Sequence, residues 1–341
     1  MSQLPVHDLA ALPPRYGFGA SGLGNLGRTL SRDDARATLE AAWQAGFRYF
    51  DTSPLYGYGL SELRLGDFLR DQPRDAFTLS TKVGRYLVPP RGAAFSRDIW
   101  SPPLDLMPVI DYGYDATLRS LEQSHSRLGI SRFDIVYIHD IDRRNHGAEF
   151  DAQHRKAVDG AYRALAELKR SGDIGAIGIG VNEADVAADF MRDADLDLVM
   201  LAGRYTLLEF GALEDCFPTA LEKDVGIVAV GVFNSGVLAK GPSAGTYDYG
   251  AVPTEIHRRA EQLGALAARH GISLAAAAAQ FPLAHPAVRS VVLGMSRVSS
   301  VEQSTEHLGH SIPHGFWSDF LALDYVREAA GRGLDFGGLV A

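Results

Sequence analysis

Short, almost wholly apolar runs alternate along this chain with longer amphipathic stretches, and the order repeats from end to end. Tyr16 onward, Phe47–Phe50, Phe77–Gly84, Phe133–Asp140, Ile174–Asn182, Leu196–Leu201, Gly226–Val232 and Val288–Gly294 read as eight strands. Between and after them, spacing suited to one buried face predicts helices over Ala35–Ala45, Ser61–Leu69, Tyr114–Leu128, Val158–Arg170, Ala184–Met191, Leu213–Lys223, Thr254–His270, from Leu274, over Val298–His307 and near Phe316–Ala329. Ser31, three residues ahead of Asp34, is a helix-start signal, and Gly46 closes that helix. Strands that are apolar on both faces imply a parallel sheet with a covered outer surface. Eight βα units fit a single (β/α)8 barrel over residues 1–341 better than an open sheet. The rhythm breaks at residues 85–111, a proline-marked stretch expected to be an irregular loop after the third strand, and its aromatics Tyr86 and Trp100 suit a cover over substrate. A Gly/Ser/Tyr-rich loop is expected around 236–252, and the terminal helix is additional to the eight units.

Composition narrows the partners. The chain has 341 residues, 46% of them hydrophobic, enough for one large core. With 33 basic against 42 acidic residues it carries a net charge of −9, which disfavours sequence-independent binding to nucleic acid or an anionic membrane and favours a small molecule. The longest apolar run, Leu274–Gln280, is too short to cross a bilayer, and the N-terminus lacks the pattern of a secretory signal. Cys216 is the only cysteine, so there is no intrachain disulfide, and it reads as a small buried residue. These features together point to a soluble cytoplasmic protein.

Gly17-Phe-Gly19-Ala-Ser-Gly22 matches the G-x-G-x-x-G dinucleotide fingerprint, but the loop runs on through Gly27 before any helix opens, so a glycine-rich barrel loop is the better reading. His139 and His146, near Asp140, Asp142 and Asp151, follow no metal-ligand spacing, and no metal is expected. His7, His125, His154, His257, His270, His285, His307, His310 and His314 read as surface residues without paired acids. No Gly-x-Ser-x-Gly elbow supports a hydrolase.

Titratable residues gather at the predicted C-terminal ends of consecutive strands: Asp51 and Tyr56 after the second, Lys82 at the third, His139 at the fourth. In a barrel these ends meet at one mouth. A tyrosine hydroxyl, ordinarily titrating near pH 10, becomes a useful acid or base when a cation favours its phenolate, and Lys82 held by Asp51 supplies one. His139 can orient a carbonyl oxygen. Proton transfer to or from an oxygen is the chemistry such a set performs, with a second species completing the reaction.

Phe50-Asp51-Thr-Ser-Pro-Leu-Tyr56-Gly-Tyr-Gly-Leu-Ser-Glu62, Ser80-Thr-Lys82-Val-Gly and Asp134-Ile-Val-Tyr-Ile-His139-Asp resemble the aldo-keto reductases, in that family's order and intervals, and the likeness extends from Gly17 to about His307. The resemblance implies NADP or NAD bound extended across the mouth and hydride transfer between nicotinamide and a carbonyl or alcohol carbon. Tyr56 would be the proton donor or acceptor, Lys82 and Asp51 its tuning pair, and His139 the carbonyl-orienting group, with Tyr56, Tyr86, Trp100 and His139 facing substrate. Coenzyme contacts would come from Ser21, Asp51, Asn182, Phe233, Asn234, Ser235, Gly236, Leu238, Gly294, Ser296, Arg297 and Gln303. The family's Ser-Asn pair after the fifth strand is reduced here to Asn182, its glutamine at the sixth strand is replaced by Ala202 or Gly203, and Phe233 stands where a nicotinamide-stacking tyrosine is usual. Arg297 would face a 2′-phosphate if the coenzyme is NADP. The Phe233-Asn-Ser-Gly-Val-Leu238 and Gly180-Val-Asn-Glu183 segments look most like the bacterial branch of D-threo-aldose (L-fucose) 1-dehydrogenases and pyridoxal 4-dehydrogenases. That branch implies oxidation of an aldose at C1 to a lactone. The alternatives are a general aldehyde reductase, a pyridoxal 4-dehydrogenase, or a regulatory barrel that senses nucleotide without turnover.

Overall fold

The parity of each strand decides which side chains enter the barrel. In a computed structural model describing residues 13–92, 99–244, 246–248 and 250–339, eight parallel strands close on themselves in chain order. They are β1 (Tyr16–Gly19), β2 (Tyr49–Asp51), β3 (Thr78–Val83), β4 (Phe133–His139), β5 (Ile174–Val181), β6 (Leu198–Ala202), β7 (Gly226–Val230) and β8 (Val288–Gly294), which pairs back onto β1. Successive side chains alternate between faces. Tyr49, Ile135, Tyr137, Ala176, Leu198, Met200, Val228 and Val292 therefore pack together inside the barrel. Phe50, Leu79, Val136, Ile138, Ile177 and Val199 belong to the larger layer between strands and helices. Asp51, Lys82 and His139 share the inward parity of Tyr49, Ser80 and Tyr137, and lie one step closer to the open end. Room for the interior tyrosines comes from missing side chains elsewhere: a Cβ on Gly178 would come within 2.6 Å of the Tyr137 ring.

Helices α1 (Arg32–Gln44), α2 (Leu60–Leu69) and α3 (Tyr114–Leu128) cover the first strands. Ser31 caps α1, its Oγ accepting from the Asp34 amide at 3.0 Å. The glycine-rich segment after β1 is a 3-10 turn, Ala20–Gly24, and α1 opens only at Arg32, which removes the geometry a Rossmann site needs.

Four expectations are corrected. The 85–111 stretch carries an antiparallel hairpin, Arg85–Val88 against Met107–Ile110; its prolines sit in the connection and at one non-disruptive position, leaving the ladder intact. Residues 93–98 of it, like His7, lie outside the described residues. The helix expected at Val158 begins earlier, at Phe150, and passes through a π-helical segment, Ala157–Tyr162, before Arg163–Ser171. The terminal helix is two, His314–Leu321 and Asp324–Gly331. The loop around 236–252 contains a short helix, Val237–Lys240, and a two-residue ladder, Thr246–Tyr247 with Gly250–Ala251. Several histidines also have paired acids, distant in the chain for His154 and His270 and four residues on in the same helix for His257. His154 is buried against Phe150 and Phe190 with Nε2 2.9 Å from Asp193, His270 lies 2.9 Å from Asp319, and His257 lies 3.6 Å from Glu261. His285 is buried among Tyr205 and Phe217.

Candidate active site

A cavity of about 470 Å³ opens at the C-terminal ends of the strands. Its floor is a polar chain that starts in the barrel interior. The Tyr137 and Tyr49 hydroxyls are 3.1 Å apart, and Ser80 Oγ lies 3.2 Å from the Tyr49 oxygen while donating to Asp51 Oδ1 at 2.7 Å. Burial raises the pKa of both tyrosines, so they remain neutral spacers. Lys82 Nζ then donates to both Asp51 oxygens at 2.7 Å and to the Thr52 carbonyl at 2.9 Å. All three ammonium hydrogens are accounted for by acceptors on one side. The cation so fixed stands 4.9 Å from the Tyr56 ring centroid.

Tyr56 is placed by the turn between β2 and α2. The Tyr56 amide donates to the Ser53 carbonyl at 3.1 Å, the Ser61 amide donates to the Tyr56 carbonyl at 3.1 Å, and Ser61 Oγ ties the same turn to the Ala20 carbonyl at 2.7 Å. Gly24 passes so close that a Cβ there would meet the Tyr56 carbonyl carbon at 2.5 Å. Beneath the turn, Glu62 is fully buried, accepting from Arg127 Nε at 2.6 Å and from Thr81 Oγ at 2.8 Å. His139 meets the Tyr56 ring edge to face at 6.0 Å between centroids. Burial pushes the His139 pKa down to about 3, so its ring is neutral at physiological pH.

Of the residues expected to act or bind, Asp51, Tyr56, Lys82, His139, Trp100, Ser21, Asn182, Phe233, Ser235, Gly236 and Gly294 line this one cavity. Tyr86 lies outside it, its ring under the Arg119 guanidinium at 4.3 Å. Leu238 and Asn234 are buried behind the lining, Ser296 is half-buried beside it, and Arg297 and Gln303 are exposed at the start and middle of the last barrel helix, Val298–Gly309. Asn182 is held by Asp142: its amide reaches Oδ1 at 3.0 Å and its Nδ2 reaches Oδ2 at 2.8 Å. Asp142 is fully buried, and burial raises its pKa to about 6.

Residues that chain order did not single out complete the mouth. Leu26, Leu55 and Ile99 form an apolar lip with Trp100, whose ring lies 5.8 Å from that of Tyr56. A bridge between Leu26 and Trp100 and the Gly27 amide on the Ile99 carbonyl at 2.9 Å join the two loops. Asp140 also enters the cavity, paired to Arg85 from the hairpin at 3.0 Å. The alternating pattern of the fourth strand had placed Asp140 at its end, but nothing local revealed Arg85 as its partner.

The opposite wall suits an extended nicotinamide dinucleotide. Gly19, Gly180, Gly231, Gly236 and Gly294 give it a surface of backbone without side chains. Behind the left-handed turn at Asn234, Ser235 and Gly236, the buried Asn234 Oδ1 has no hydrogen-bond partner among the described residues. Among the described residues, no group of three His, Cys, Asp or Glu could hold a metal ion, and no helix is long and apolar enough to cross a membrane.

The chain is similar to known proteins. The sequence pattern of the Aldo/keto reductase family matches residues 15–323. A D-threo-aldose 1-dehydrogenase from Pseudomonas sp is 44% identical over 313 residues, covering 90% of this chain and 92% of that protein. A pyridoxal 4-dehydrogenase from Microbacterium luteolum is 41% identical over 317 residues, covering 89% and 91%. Among solved structures, an aldo-keto reductase from Bacillus halodurans in its holo form superposes with a TM-score of 0.69 at 20% identity over 96% of each chain, a likeness of fold. With its closed barrel and with the family's sequence pattern spanning nearly all of it, this chain belongs to the aldo/keto reductase family of NAD(P)-dependent oxidoreductases.

Proposed function

We propose that this enzyme oxidises the C1 hydroxyl of a cyclic aldose, L-fucose or another D-threo-aldose, to the lactone with NAD or NADP. The observation that carries the chemistry is the fixed Lys82 cation 4.9 Å from the Tyr56 ring, with the neutral His139 ring meeting the same tyrosine edge to face. The identity of 44% to a D-threo-aldose 1-dehydrogenase supports the substrate class. The bound coenzyme supplies the hydride acceptor. Tyr56 accepts the hydroxyl proton of the substrate, and the Lys82 cation stabilises the phenolate that makes it a base. Asp51 and the Thr52 carbonyl hold Lys82 so that this cation stays aimed at Tyr56. His139 holds the reacting oxygen as it becomes a carbonyl. Asn182 and Phe233, on the coenzyme side of the cavity, serve as the nicotinamide contacts, and the apolar lip of Leu26, Ile99 and Trp100 excludes water above Tyr56.

Pyridoxal oxidation is the second reading, supported by the 41% identity to a pyridoxal 4-dehydrogenase. The test follows nicotinamide absorbance with NAD+ and NADP+ against a panel of aldoses, pyridoxal and simple aldehydes, in both directions. Turnover of D-threo-aldoses above the rest is expected; a preference for pyridoxal or for simple aldehydes refutes the sugar assignment. Tyr56→Phe is expected to abolish hydride transfer with coenzyme affinity nearly unchanged, and near-normal turnover in that variant removes Tyr56 from the mechanism.

A further inference from the structure

Two carboxylates line the cavity among the described residues, and they are used differently. Asp51 is saturated by Lys82 and Ser80. Asp140 has one oxygen engaged: Oδ2 lies 3.0 Å from Arg85 Nη2, while Oδ1 lies 3.4 Å from His139 Nε2 without forming a hydrogen bond to it. Burial disfavours the charge on Asp140, but its charged neighbours, the Arg85 and Lys82 cations among them, outweigh it, and the carboxyl titrates below its usual range. Among the described residues, Asp140 is therefore an anion with an open acceptor oxygen beside His139.

The ring proton of His139 can be located from its neighbours. Asp140 Oδ1, an anionic acceptor 3.4 Å from Nε2, favours the tautomer with the hydrogen on Nε2, and the Ser53 hydroxyl, 3.3 Å from Nδ1, is free to donate to the other nitrogen. Nδ1 is then the acceptor, and Nε2 carries the hydrogen. A donor (Nε2–H) and an acceptor (Asp140 Oδ1) thus stand side by side in the cavity, 3.4 Å apart. That pairing complements two oxygens on adjacent carbons in a gauche arrangement: one with lone pairs to offer, the other with a proton to give.

The backbone at Asp140 is built to present this oxygen. Its φ is +55°, uncommon for a residue other than glycine though tolerated by aspartate. The conformation is held by its amide on the Gly180 carbonyl at 2.8 Å, and its own carbonyl accepts from Tyr112 at 3.1 Å and from Asn145 Nδ2 at 3.2 Å. Arg85, itself buried, is supplied by the hairpin that interrupts the barrel after β3, so this insertion fixes the carboxylate's orientation.

We propose that Asp140 is a specificity-determining residue that accepts a hydrogen bond from a hydroxyl on the carbon next to the reacting carbon, selecting α-hydroxy carbonyl compounds and their cyclic hemiacetals over plain aldehydes. The inference rests on Tyr56 and His139 holding the reacting oxygen, as proposed above, and does not depend on which sugar is the substrate.

Lactaldehyde and propanal differ by that one hydroxyl, so their reduction at saturating NADPH or NADH tests it. Wild-type kcat/KM is expected to favour lactaldehyde at least tenfold, the size of one charge-assisted hydrogen bond. Asp140→Asn keeps the volume and tolerates the positive φ. It is expected to bring the ratio to within threefold of unity by lowering kcat/KM for lactaldehyde, with propanal changed less than threefold. Absence of a preference in the wild type overturns the proposal even if the variant does not fold. A ratio unchanged in a variant that still binds coenzyme overturns it, as does an equal loss for both aldehydes. Turnover of no aldose, with the lactaldehyde preference intact, instead defeats the sugar assignment and leaves Asp140 in its role.

Discussion

Lys82→Met separates what Lys82 does for stability from what it does for turnover. The side chains of Lys82 and Asp51 are 2% and 4% exposed, and the substitution leaves the Asp51 carboxylate in the barrel with Ser80 as its remaining side-chain donor. Breaking a buried pair on one side costs about 3–5 kcal/mol of stability, whereas removing both charges costs far less. The catalytic loss is separate. At the 4.9 Å between Nζ and the Tyr56 ring, with an effective dielectric constant of about 20, loss of the cation withdraws about 3 kcal/mol of phenolate stabilisation, or roughly two orders of magnitude in rate. The assay compares thermal midpoint and kcat, with the best substrate of the panel, in wild type, Lys82→Met and the double variant Asp51→Asn/Lys82→Met. The double variant is expected to recover most of the lost thermal stability while its kcat stays down about a hundredfold, with the rate rising toward its plateau at higher pH than in the wild type. A double variant with kcat within tenfold of wild type would refute the argument, because the charge on Lys82 would then be serving the fold alone.

Stability against pH offers a second check with opposite signs at two buried groups. His139, lowered to about 3, contributes stability that is fully present above its ordinary value near pH ~6.5 and is lost as pH falls toward 3; Asp142, raised to about 6, contributes stability present below its ordinary value near pH ~4 and lost as pH rises through 6. The two slopes oppose each other between about pH 4 and 6, so His139→Gln is expected to make the denaturant midpoint fall with pH in that window and Asp142→Asn to make it rise, each by up to about 1.4 kcal/mol per pH unit; parallel profiles for the two variants would contradict the assignments. Gly24→Ala is expected to lower kcat at least tenfold in a protein that still folds and binds coenzyme, since its Cβ would lie 2.5 Å from the Tyr56 carbonyl carbon and 2.7 Å from the Gly57 amide nitrogen; unchanged kcat would show that this turn does not need its present position.

The sequence alone determined the barrel and the residues at its mouth. Periodicity is a local property: the strands are short runs apolar on both faces, the helices repeat with their own period, and Asp51, Lys82 and His139 stand at strand ends where parity turns them inward. The site was legible because those strands are neighbours in the barrel as well as in the chain. What only the tertiary structure decided are pairings between segments with no such rule. Arg85 meets Asp140 across 55 positions, Glu62 meets Arg127 across 65, Asn182 meets Asp142 across 40, and His154 finds its acid 39 positions on. The hairpin at 85–110 and the placement of Tyr86 outside the cavity belong with these, because antiparallel register between distant runs depends on what the body of the barrel presents to them. Short-range pattern fixes an element and its faces; which distant side chain neutralises a buried charge depends on the desolvation cost at that spot, which exists only once the chain has closed around it.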